Sequence, residues 1–352
     1  MTPAQQWQSW FDAGLVRDAQ LPVPTGGADS SPWYIRLILG ICGWLGGLLL
    51  LVFIGFAWFS TMEETGIGLV GVVLIAVAYG IYRVAKSELG DQFALALSLA
   101  GQIAIGVALF DGKEVSHVWA CFGVGALQLI LMWVMPNPVH RSLSALFAMT
   151  ALDMGFFVRG LPSPLPVVAA WLTATFWMDE SRWQLRLGER FVPIATGVTL
   201  AGLLGLAPFA FHEFSFFFDT VGGELPPSLW YLFRVLPVVG ALVWVWAVWR
   251  WTEQVAWRLR APALVLSLLM AVAGWWMPGM SLGLLVLLLG FARGRPALMG
   301  LGAAAGLVHL SMFYYSLAST LLVKSISLVV LGVVLLLAGW ALPRIWREVR
   351  DV

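Results

Sequence analysis

Long apolar runs separated by short polar connections dominate the chain, and they fall at about 37–59, 66–82, 93–110, 117–135, 143–160, 164–178, 191–211, 230–249, 261–278, 280–292, 297–316 and 320–341. A bilayer core of about 30 Å is crossed by roughly 20 apolar residues in helical form, because lipid offers no partner to a bare backbone amide. The runs are continuously apolar and do not alternate with period two, which disfavours a closed barrel. The pattern predicts an all-α fold: a polytopic integral membrane helical bundle of about twelve transmembrane helices, the sixth and tenth of them short. Ahead of it, Trp7, Trp10, Phe11 and Leu15 recur at three- and four-residue spacing until Pro22 and Pro24, the pattern of an amphipathic helix lying on a membrane interface. The expected layout is a cytoplasmic amphipathic segment at 1–32, the bundle at 33–342 and a short cytoplasmic tail at 343–352.

Charge orients this layout. Lys and Arg number 20 against 19 acids, so the total points to neither nucleic acid nor an acidic partner; the lipid bilayer is the expected surrounding. With both termini cytoplasmic, 16 of the 20 basic residues fall on the inner side, among them Arg83, Arg141, Arg186, Arg250, Arg293 and Arg344. Only Lys113, Arg159, Arg234 and Lys324 remain for the outer side and the outer helix halves. That bias satisfies the positive-inside rule and favours an even number of spans. Trp33, Trp58, Trp133, Trp177, Trp183 and Trp249 sit near run ends, where an amphipathic ring prefers the headgroup layer. Residues 1–32 lack a basic stretch followed by a short apolar core, so the run at 37–59 is expected to stay as an uncleaved anchor. With 60% hydrophobic and 11% charged residues, against about 25% charged in an ordinary globular domain, no soluble fold is expected.

Candidate chemistry is sparse. Ionisable groups inside spans are costly and therefore mark function first. Asp153, in MTALDMGFF, lies about ten residues into the fifth run; His309 lies at similar depth in the eleventh; Lys324 is in the outer third of the twelfth; Arg159 and Arg234 stand near outer ends. The orientation places all five in the outer half, where one polar cavity would contain them and pair Asp153 with a cation. Snorkelling of the three cations to the interface is the competing reading. Gln102 and Gln128 read as interhelical hydrogen-bonding groups. His212, Glu213 and Asp219, in the outer loop FHEFSFFFDTVGGELPPSLW, are weaker candidates for a cation and match no metal-motif spacing. Glu63 and Glu64 resemble the acidic position of lipid-linked sugar transferases. Cys42 and Cys121 both lie in apolar runs, as buried thiols do. The chain lacks a GxxxxGK loop, HExxH and paired CxxC, so no cofactor and no metal are expected. Gly43 with Gly47, Gly279 with Gly283, and Gly302 with Gly306 predict close helix contacts, read first as contacts within the chain.

The polar N-terminal helix, the join SPWYIRLILGICGWLGGLLLL from Ser31 to Leu51 and the many-span layout resemble an uncharacterised bacterial membrane family known as a domain of unknown function. The resemblance implies a multi-pass protein of the bacterial inner membrane. It also implies a membrane-protein partner encoded nearby, beside proteins named for a GDYxxLxY motif; it supplies no catalytic residues. The expected role is non-enzymatic, a small-solute transporter or a subunit of a membrane complex. The alternative is a lipid-modifying membrane enzyme with an outward-facing polar cavity near Glu63 or Glu64.

Overall fold

The computed structural model describes residues 64–85, 87–111, 116–159, 164–205 and 278–316 as continuous stretches, with isolated positions within 8–53, 242–268 and 322–329. The amphipathic segment at 1–32, the tail at 343–352 and the runs at 37–59, 230–249, 261–278 and 320–341 lie wholly or largely outside the described residues. Every element among the described residues is helical: α1 (Glu64–Val84), α2 (Glu88–Asp111), α3 (His117–Val134), α4 (Pro138–Val158), α5 (Leu165–Met178), α6 (Glu180–Leu187), a 3-10 turn (Gly188–Arg190), α7 (Phe191–Gly205), α8 (Pro278–Ala292) and α9 (Pro296–Ser316).

Local sequence sets several of these ends. Asn137 caps α4, its Oδ1 accepting the backbone amides of Val139 at 2.9 Å and His140 at 3.0 Å. Pro138 occupies the first helical position, where a missing amide proton costs nothing. At the other end of the described chain, α8 stops in a Schellman motif: the Gly294 amide bonds the Phe291 carbonyl at 3.1 Å, and the Arg295 amide reaches Gly290 at 2.8 Å. Gly294 sits at φ 61°, a left-handed conformation that only glycine adopts cheaply. Pro296 then opens α9.

Among the described residues four helical stretches are long and apolar enough to cross a bilayer: Gly66–Val84, Glu88–Phe110, His117–Val134 and Glu180–Leu204. The fourth reaches that length only by including ESRWQLRL, whose Glu180, Arg182 and Arg186 belong in water, so its apolar part begins at Phe191. Shorter apolar helices cover Val167–Met178, Leu282–Ala292 and Pro296–Ser311. Helix α1 exposes Leu69, Val72, Val73 and Val77, and α3 exposes Trp119, Leu129, Ile130 and Trp133. Water would punish such stripes, and lipid accepts them. The architecture is that of a helical membrane protein.

The chain divides into two compact units, Met1–Ser60 with Leu74–Ala100, and Thr61–Val73 with Gly101–Val352. In the first, Ala78, Ala94 and Leu97 form a small core beneath Leu74, Ile81, Tyr82 and Phe93. In the second, α3 lies along α4, α4 and α5 lie along α7, and α8 pairs with α9. Trp177, Phe191, Leu285 and Val286 form the centre of its largest core. Small residues set the close approaches: a Cβ on Gly283 would meet the Gly306 amide nitrogen at 3.0 Å, and one on Gly302 would meet the Gly283 carbonyl at 2.7 Å. Gly283, Gly302 and Gly306, of the glycines expected to bring helices together, thus do so within the chain, between α8 and α9, while Gly43 and Gly47 lie outside the described residues.

Candidate functional site

Among the described residues, polar groups concentrate in two places within the larger unit. The first is a chain of neutral side chains linking three helices. Gln128 on α3 donates from Nε2 to Oε1 of Gln102 on α2 at 2.7 Å. Gln102 in turn donates from Nε2 to Nε2 of His140 on α4 at 3.1 Å. An imidazole that accepts at Nε2 carries its proton on Nδ1, and Nδ1 lies 3.1 Å from Ser144 Oγ, so the histidine donates there. All four are buried; His140 and Ser144 are each about 1% exposed.

The Asn137 cap fixes the backbone of His140, and Ser144 follows four residues later on the same helical face, so α4 alone orients the ring. The glutamines then lock it to α2 and α3. Each such interhelical bond contributes about 0.6 to 2 kcal/mol in a membrane. The chain is incomplete at one end: Oε1 of Gln128 is buried with no hydrogen-bond partner among the described residues. Turning both amides over and moving the imidazole proton to Nε2 reverses the direction and still leaves one amide atom of Gln128 bare.

The second concentration lies at the ends of α5 and α8. Arg293 donates from Nε to the Trp177 carbonyl at 2.7 Å, placing a cation on the negative end of α5. Arg295 bonds both carboxylate oxygens of Glu180 from Nε, at 3.1 and 3.2 Å, and pairs with Oε1 again through Nη2. Its guanidinium also stands over the Trp177 ring, 5.3 Å from the centroid. Arg250 reaches Asp179 at 3.1 Å and stands over Trp246. Beneath them Trp177 is only 2% exposed; its Nε1 donates to Thr199 Oγ1 at 2.9 Å and its ring meets Phe191 edge-on. Trp177 therefore belongs to the protein core, a correction to its expected place in the headgroup layer: the ring at the end of this run turns toward α7.

Of the ionisable residues singled out in the sequence, three are described. Asp153 is half-buried on α4, and Arg159 is exposed in the turn that ends the same helix. Six residues apart, the two project roughly 120° from one another around the axis. His309 is buried on α9, its Nδ1 donating to the Ala305 carbonyl at 2.8 Å while Nε2 is buried with no partner among the described residues. Arg234, Lys324, Glu63, His212, Glu213 and Asp219 lie outside the described residues, as does the side chain of Glu64. Among the described residues no group of three His, Cys, Asp or Glu stands close enough to hold a metal ion.

Gln102 and Gln128 are joined across helices, as their positions in apolar runs implied. His140 was missed by the hydropathy reading. The signal that finds it is local: an asparagine cap and a proline three and two residues upstream and a serine one helical turn downstream.

No curated protein matches the chain, and no solved structure does. Residues 32–345 match the family described as Domain of unknown function (DUF4401), and the chain belongs to that family.

Proposed function

We propose that the protein is a bacterial inner-membrane transporter of a small, uncharged polar solute, built from about twelve spans with both termini in the cytoplasm. The arginines at 141, 182–190, 250 and 293–295, at or near helix ends, support that orientation, since basic residues beside the spans stay on the cytoplasmic side. The observation that carries the transporter reading is the bare amide atom of Gln128 at the end of a buried, otherwise bonded chain. A buried polar atom without a partner costs about 1–3 kcal/mol, and such atoms are rare enough to ask for a reason. A solute that hydrogen-bonds there removes the cost. The chain from Gln128 to Ser144 carries no formal charge, so the matching solute is polar and uncharged.

The experiment is an uptake screen of small polar solutes in proteoliposomes. Wild type is expected to accumulate at least one solute, and Gln128→Leu to reduce that uptake at least tenfold while its melting temperature stays close to that of wild type. If no uncharged solute is accumulated, or if Gln128→Leu and His140→Gln both transport like wild type, the reading fails.

A further inference from the structure

A cleft of about 240 Å³ opens between the ends of α5 and α8, lined by Met178, Asp179, Arg250, Glu253, Leu289, Ala292 and Arg293. Its volume is that of about eight liquid waters, the scale of a headgroup and well below that of a whole lipid. The charges in it sort themselves. Arg250 and Asp179 neutralise each other at 3.1 Å. Among the described residues that leaves one cation, Arg293, and one carboxylate, Glu253, on the wall of the same small space. Arg293 spends its Nε on the Trp177 carbonyl, and a guanidinium has four further N–H donors on its two Nη atoms, a fork suited to phosphate oxygens. Two helices, α5 and α8, end at the cleft, and helix C-termini favour a positive group near them. Leu289, Met178 and Ala292 add an apolar side.

We propose that this cleft binds phosphoethanolamine, its phosphate on Arg293 and its ammonium on Glu253, with the ethylene carbons against Leu289 and Ala292. An anionic ligand alone would face Glu253 unpaired, and a cationic ligand alone would face Arg293; a zwitterion with the two charges a few bonds apart satisfies both. The group reaches the cleft either as the headgroup of a phosphatidylethanolamine in the adjoining leaflet or as a free phosphoethanolamine. The site is independent of the solute path assigned to Gln128.

The test is native mass spectrometry of the full chain released from bilayers holding equal phosphatidylethanolamine and phosphatidylglycerol, with thermal melting in free phosphoethanolamine as a second arm. Wild type is expected to retain phosphatidylethanolamine about tenfold over phosphatidylglycerol, a difference of about 1.4 kcal/mol. Glu253→Gln, at an exposed turn, is expected to fold normally and lose the preference; Arg293→Gln is expected to lower retention of both lipids. Retention of the lipid supports the headgroup source. A melting rise with free phosphoethanolamine and no lipid preference supports the soluble source. Equal retention with no melting rise overturns the proposal, as does a wild-type preference that survives both substitutions.

Discussion

The interior chain of Gln102, Gln128, His140 and Ser144 and the arginine cluster at the ends of α5 and α8 solve one problem by opposite means. Both join helices through polar side chains. Deep in the bundle the groups are neutral and few, and each bond is sheltered. At the helix ends they are fully charged, doubly engaged and partly wet, as the 46% exposure of the Arg250 side chain shows. Desolvating an ion costs several kcal/mol even after relaxation, whereas an amide or imidazole costs far less. Depth therefore selects the kind of polar group, and aromatic rings mediate the change: Trp177 is buried beneath Arg295 and presents its indole nitrogen inward to Thr199.

The most severe way to break this division is to remove the ring on which the charged end rests. Trp177→Ala is expected to lose about 3–5 kcal/mol, the usual cost of truncating a large buried aromatic, visible as a large fall in melting temperature in detergent. Trp177→Phe keeps most of the packing and gives up the bond to Thr199, so a loss of about 1 kcal/mol is expected. An alanine variant that melts with wild type would mean that the arginines are seated on something other than this indole.

His140→Leu tests the interior side. It removes the acceptor for Gln102 and the donor to Ser144 at once, with an expected loss of about 1–3 kcal/mol. Gln128→Leu is expected to cost less, because Gln128 enters only one of the bonds and its own bare atom disappears with it. The ordering of the two melting temperatures, taken at low and high salt, checks the point. Neither difference is expected to change with ionic strength, since no ion is involved. Equal losses would show that the chain is not anchored at the histidine.

The two regions also differ in how far the chain's own letters disclose them. Helices were legible: the run at 117–135 became α3 at His117–Val134, and the run at 297–316 became α9 at Pro296–Ser316, because lipid demands an unbroken apolar stretch and connections cannot hide inside it. The shortness of the runs at 164–178 and 280–292 persists in α5 and α8. Hydropathy failed where a helix begins with polar residues. It starts the fifth run at 143 and so leaves His140 in a connection, although Asn137 and Pro138 announce the helix earlier. Which side chains meet across helices depends on the rotation of each helix about its axis, and residue spacing along one helix does not fix the rotation of another. Asp153 and His309 could thus be singled out as ionisable groups within apolar runs, while the Gln102–His140 contact depends on a relation between two helices. Trp177 shows the same gap: a ring at a run's end suits the headgroup layer and the core equally, and only the position of α7 decides.

The smallest expected effect lies at the outermost pair. Arg250 and Asp179 are 46% and 32% exposed in their side chains, so water screens their attraction and an exposed pair of this kind contributes at most about 1 kcal/mol. Arg250→Gln is expected to lower the melting temperature slightly at low salt and not at all at 1 M salt, where the screening length falls to about 3 Å. Glu180→Gln provides the contrast one residue along. Its carboxylate side chain is 13% exposed and engaged by Arg295 through two nitrogens, so its loss is expected to be larger and to survive high salt. If both variants respond alike to salt, proximity to the Trp177 core does not shelter the inner pair, and the graded passage from charge to neutral amide gives way to a single wet layer at the helix ends.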